Sequence, residues 1–141
     1  MSNSMELTIQ VYIAEKNDIE SQILSETQTK NLKHSQSSNT ISEIHNKYAP
    51  EISRIRNEIQ GLDLTTSSGE YRKLMAELNS LKDAEEREVQ AEETVATDYE
   101  NRLQSHIDND QTRLEAVNTD LEQLKETNRE NIKNEFNYFQ N

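Results

Sequence analysis

YRKLMAELNSLKDAEEREVQAEETVATDYENRLQSHIDNDQTRLEAVNTDLEQL, residues 71–124, is the stretch whose spacing decides the fold. Its apolar stripe runs Tyr71, Leu74, Leu78, Leu81, Val89, Val95, Tyr99, Leu103, Ile107, Leu114, Val117, Leu121 and Leu124. Most gaps are 3, 4 or their sum, the pattern of one stripe along a helix. From Val95 to Ile107 three gaps of four follow in succession, a stutter that locally unwinds a left-handed supercoil. No Gly or Pro interrupts residues 70–141. The spacing predicts a single helix from about Gly69 to about Tyr138, on the order of 100 Å long.

Upstream, Thr65-Thr66-Ser67-Ser68-Gly69 reads as a loop. Ser67 and Glu70 have capping-box spacing. Gly61 suits the C-cap of a preceding helix. That first arm carries Ile41, Ile44, Tyr48, Ile52, Ile55, Ile59 and Leu62 at helical spacing. Pro50 lies inside the stripe, lacks an N–H, and predicts a kink or a break. Ile9, Ile13, Ile19 and Ile23 continue the stripe toward the N-terminus. Leu7, Ile9, Val11 and Ile13 also alternate as in a strand, but nothing else in the chain offers that strand a partner. Residues 25–40, SETQTKNLKHSQSSNT, hold one large apolar residue, Leu32. They read either as a frayed, solvent-facing stretch or as a hinge or register-setting polar seam.

The predicted architecture is all-α: a long antiparallel helical hairpin or coiled coil, elongated and completed by oligomerisation. It forms one domain over residues 1–141: arm 1 about 5–61 with a break near Pro50, a turn at 62–69, and arm 2 about 69–139. A turn near residue 65 sets residue i against residue 130 − i. Ile59 then meets Tyr71, Ile52 meets Leu78, Ile41 meets Val89, Ile23 meets Ile107, Ile13 meets Val117 and Ile9 meets Leu121. Ile55 with Leu74 and Tyr48 with Leu81 miss by one. The expected helix seam comprises all of these except Tyr48. Lys30 and Lys33 fall near Asp98 and Glu100, at the end of an acidic run. Past about Lys125 the second arm has no counterpart. Its ending, Ile132, Phe136, Tyr138 and Phe139, is either a docking site or a continuation of the seam.

Composition agrees with a narrow seam. Apolar residues are 31% of the 141, charged residues 30%, with two glycines and one proline. That content cannot fill a thick core, and intrinsic disorder is the competing reading that the periodicity argues against. The net charge of −12 repels phosphate backbones and anionic lipid, so neither nucleic acid nor membrane is an expected partner. No stretch has the length of a membrane span, and the start MSNSMELTIQ lacks the features of a cleavable signal. The expectation is a protein that is cytoplasmic, packaged in a particle, or exported without signal cleavage. With no cysteine, disulfides are excluded.

A search for chemistry returns nothing. His34, His45 and His106 show no metal-ligand spacing. Asp108-Asn109-Asp110 opens like a calcium loop, but Arg113 and Thr119 stand where glycine and glutamate are needed. No Glu-x-x-His pair exists for a di-metal bundle, and Gly61 and Gly69 make no phosphate loop. A thin seam offers no small-molecule pocket. No enzyme activity, cofactor, metal or small-molecule substrate is expected.

Two long helices around a Ser/Thr/Gly turn, with an aromatic C-terminal cluster, resemble the helical-hairpin subunits of assembled particles. The segments EYRKLMAELNSLKDAEE (70–86) and NIKNEFNYF (131–139) carry the likeness. It extends to coiled-coil virion proteins of tailed phages and to filament, needle or rod subunits of secretion machines. The resemblance implies a non-enzymatic structural subunit that self-assembles into a particle or filament. The alternative is a soluble adaptor, scaffold or chaperone-like module that binds a partner helix. The expected partner is thus the chain itself or another helical protein.

Overall fold

The computed structural model describes residues 2–140. Helix α1 spans Ser2–Gln60 and helix α2 spans Ser68–Gln140. The two pack against each other as an all-α helical hairpin, with no strand among the described residues. The alternating run Leu7–Ile13 is helical, as its lack of a strand partner requires.

Residues 25–40 are helical throughout. Their polarity is accommodated locally. The hydroxyls of Thr27, Thr29 and Thr40 donate to the carbonyls of Ile23, Ser25 and Gln36, one turn back. A Thr hydroxyl used this way no longer competes for the backbone N–H groups that the helix needs.

The expected break at Pro50 is absent, because α1 runs through it. Proline at 50 removes the N–H that would bond the carbonyl of Asn46. Both residues are exposed, so that carbonyl is open to solvent. Gly61 follows the last residue of α1, where a C-cap stands. It has no positive φ, so no left-handed cap forms there. Its N–H bonds the Asn57 carbonyl at 3.1 Å and simply extends the helical ladder.

Asp63 organises the turn. Its Oδ1 accepts the Thr65 N–H at 3.0 Å and the Thr65 hydroxyl at 2.7 Å. Its carbonyl accepts the N–H groups of Thr66 and Ser67 at 3.2 and 2.9 Å. The Thr65 hydroxyl, then the Thr65 N–H and the Thr66 side chain, hold the Asp63 carboxyl below its ordinary value. The Ser67 carbonyl takes the Tyr71 N–H at 2.9 Å, which places Ser67 at the N-cap of α2.

Contacts divide the chain into two units. One is Asn31–Asn101, closed by the turn. The other, the terminal unit, joins the chain up to Lys30 with the chain from Arg102 onward. In the turn-closed unit Ile52, Ile55, Leu74 and Leu78 are buried as one cluster, with Tyr48, Ile59, Leu62, Met75 and Leu81 packed on it. Further along, the small residues Ser37 and Ala96 are buried at 6% exposure each, so the seam narrows there to side chains of minimal size. In the terminal unit the buried apolar residues are Ile19, Ile107, Val117 and Leu121, and Asp110 is buried among them.

Candidate assembly surface

In α1 the covered positions of the terminal unit include Met5, Ile9, Tyr12, Ile13, Lys16, Ile19, Ile23, Glu26 and Lys30, at the 3,4 spacing of a seam. Of the seam residues read from sequence, Ile52, Ile55, Leu74, Leu78, Ile107, Val117 and Leu121 are buried. Ile9, Ile13, Ile23, Ile41, Ile59, Tyr71, Leu81 and Val89 are half-buried. Val95 is not in the seam. It is 58% exposed, while its neighbour Ala96 is buried. Val95 and Tyr99 thus leave the stripe to Ala96 and Glu100, while Leu103 and Ile107 stay in it. Sequence reasoning passed over Ala96, Ser37, Glu26 and Asp110 because none has a large apolar side chain. Ile19 stood in the stripe, and its 1% exposure makes it the best-covered residue of the terminal unit.

The pairing differs from 130 − i by about one helical turn. In the terminal unit, Lys30 Nζ donates to Gln104 Oε1 at 2.7 Å, and Asn131 Nδ2 lies 4.0 Å from Met5 Sδ. In the turn-closed unit, His34 Nδ1 meets Glu100 Oε1 at 3.0 Å, and Lys47 Nζ donates to Glu88 Oε1 at 3.0 Å. Partners therefore lie near 134 − i in each unit, although His45 and Glu85, at 3.3 Å, keep the predicted sum. The physical reason is that Leu62 folds back onto the apolar cluster beside Ile59. Closure thus uses one more seam position of the first arm than a turn centred at residue 65 allows. Lys30 accordingly reaches Gln104, and Lys33 Nζ sits 5.5 Å from the Tyr99 ring centroid rather than on Asp98 or Glu100.

The acidic run of α2 meets cations across the interface of the turn-closed unit. Glu88 accepts from Lys47 and, at 2.9 Å, from the Tyr48 hydroxyl. These two donors, the lysine first, hold the Glu88 carboxyl below its ordinary value. The same bonds raise Lys47 and Tyr48. The groups are largely exposed, so the pairs fix orientation more than they add stability.

The new register also moves the start of the overhang. With Met5 against Asn131, α1 covers α2 almost to Ile132 rather than only to Lys125. Beyond that point Ile132, Phe136 and Phe139 continue the α2 stripe at gaps of four and three. They are 48%, 60% and 85% exposed. Tyr138, 80% exposed, lies off the stripe and edge-to-face on Phe139, with ring centroids 5.8 Å apart. In the same unit Leu7 and Val11 are 67% and 64% exposed. Leu7 is two residues from Met5 and Ile9, about 200° around the helix, and so faces away from α2, and Val11 follows it one turn later on the same face.

The surface offers apolar contact. Among the described residues no three His, Cys, Asp or Glu side chains gather as a metal shell. Among them, too, no helix is long and apolar enough to cross a membrane. Clefts along the pair are lined by polar side chains such as His34, Ser37, Glu93 and Thr97. Comparison with protein-family models, curated proteins and solved structures finds no match to this chain.

Proposed function

We propose that the chain is a non-enzymatic structural subunit that assembles with copies of itself through its helices. One observation carries this reading: the terminal unit leaves two apolar faces open, Ile132-Phe136-Phe139 on α2 and Leu7-Val11 on α1. Magnitudes decide how they would act. Covering one such side chain is worth about 2 kcal/mol. Association costs about 4–15 kcal/mol in lost freedom. The three side chains on α2 give about 6 kcal/mol and the two on α1 about 4, which meets only the low end of that cost, so association is strongest with both faces covered, and a subunit with two separate sticky faces builds multi-copy assemblies.

Sedimentation of the purified chain over a range of concentrations tests this. Higher oligomers or filaments are expected, and Phe136→Glu with Phe139→Glu should return the chain to its smallest species. A monomer at every concentration refutes self-assembly. If that monomer instead binds a helix of another chain, the protein is an adaptor.

A further inference from the structure

The seam of the terminal unit contains a feature that neither packing nor assembly uses. Glu26 occupies a seam position of α1, and its Oε2 is buried with no hydrogen-bond partner among the described residues. Asp110 occupies a seam position of α2 and is 8% exposed. Ionised carboxylates only accept hydrogen bonds, so two of them facing each other repel and leave buried oxygens unserved. One proton between them supplies the missing donor and removes the like charge.

We infer that Glu26 and Asp110 form a proton-operated clasp between the two helices of the terminal unit, which mild acid closes and rising pH loosens. This holds whether or not the chain self-assembles.

The surrounding charges decide where the proton sits. From α1, Lys30 lies one turn away, but its amine is engaged with Gln104 Oε1. From α2 come His106, Asp108 and Arg113. Gln104 Nε2 donates to Asp108 Oδ1 at 2.9 Å, which ties Asp108 into the lysine's bond chain. Arg113 Nη1 donates to Asp110 Oδ1 at 3.3 Å, so that oxygen already has a donor, whereas Glu26 Oε2 has none among the described residues. The proton is therefore assigned to Glu26. Burial first, then the hydrogen bond and like charge of Asp110, push the Glu26 carboxyl above its ordinary 4.5, and the charge of His106 pulls it partly back. A carboxyl raised on folding gives stability that is complete below the unfolded value and lost as pH rises through the folded value. The window thus opens at about 4.5 and extends upward.

The test is denaturant unfolding of the full chain at about pH 5 and about pH 8, followed by circular dichroism. Self-repulsion of an acidic chain lowers every midpoint at the higher pH, so the exposed Glu115→Gln serves as the control. Wild type and Glu115→Gln should lose midpoint in parallel between the two pH values. Glu26→Gln and Asp110→Asn should lose clearly less and should exceed wild type at the higher pH, because an amide donates without a proton. If both keep the wild-type slope, there is no clasp. Hydrogen exchange places the effect. Corrected for intrinsic rates, protection of the amides around Ile23 and Ile107 should rise several-fold on acidification in wild type and stay level in Glu26→Gln. Unchanged protection in wild type overturns the proposal.

Discussion

The turn-closed unit and the terminal unit bury comparable numbers of residues in different ways. In the first, Ile52, Ile55, Leu74 and Leu78 touch as one cluster with five further apolar side chains packed on it. In the second, Ile19, Ile107, Val117 and Leu121 sit along the seam with Glu26, Lys30 and Asp110 between them. A cluster shares the loss of any member among many neighbours but leaves a cavity that rigid walls cannot fill. A seam one residue deep has flexible walls that can close over a gap. The lesson is that two stretches of the same helix pair, built on the same spacing, differ in cooperativity through what stands in the seam.

The largest expected effect tests this directly. Ile55, at 0% exposure, should cost about 2–5 kcal/mol when replaced by alanine, read from denaturant midpoints. Ile19, at 1% exposure, should cost less for the same change, because half-buried Lys16 and Ile23 flank it and can shift inward. Equal or greater loss at Ile19 would break the comparison.

Pro50 should give a smaller effect of opposite sign. Proline in a helix interior is about 3 kcal/mol worse than alanine, and its stiffening of the unfolded chain returns about 1 kcal/mol at most. Pro50→Ala should therefore raise stability by roughly 2–3 kcal/mol. No gain in the unfolding midpoint would mean that water serves the Asn46 carbonyl as well as the restored N–H would.

These sites also show what the sequence could and could not reveal. Ile52, Ile55, Leu74 and Leu78 were legible because burial follows spacing and each carries a large apolar side chain. Pairing was less legible, because two periodic stripes match nearly as well after a one-turn slip. The polar contacts Lys30–Gln104 and His34–Glu100, which mark the register, have no signature in hydrophobicity. Glu26 and Asp110 were hidden for the same reason: a carboxylate at a seam position looks like a surface residue until its neighbour across the interface is known. At Pro50 the break does not form, since the one hydrogen bond the proline removes leaves a carbonyl, that of Asn46, on an exposed residue.

The smallest effect concerns protons, and there the two units should move in opposite directions. Asp63 in the turn is held below its ordinary 3.8 by the donors of Thr65 and Thr66. A carboxyl lowered on folding gives stability that is present above the unfolded value and lost as pH falls through the folded value. Protonating Asp63 should therefore weaken the turn below about 3.8, whereas protonating Glu26 tightens the terminal unit from about 4.5 upward. Asp63→Ala should lower the thermal midpoint slightly at neutral pH and make the acid limb of the profile shallower. Asp63→Asn should recover most of the neutral loss, since its side-chain oxygen can still accept the Thr65 N–H, yet it too should flatten the acid limb. An acid limb equally steep in wild type and both variants would mean that the turn takes no part in acid unfolding. The opposition between the units would then rest on Glu26 and Asp110 alone.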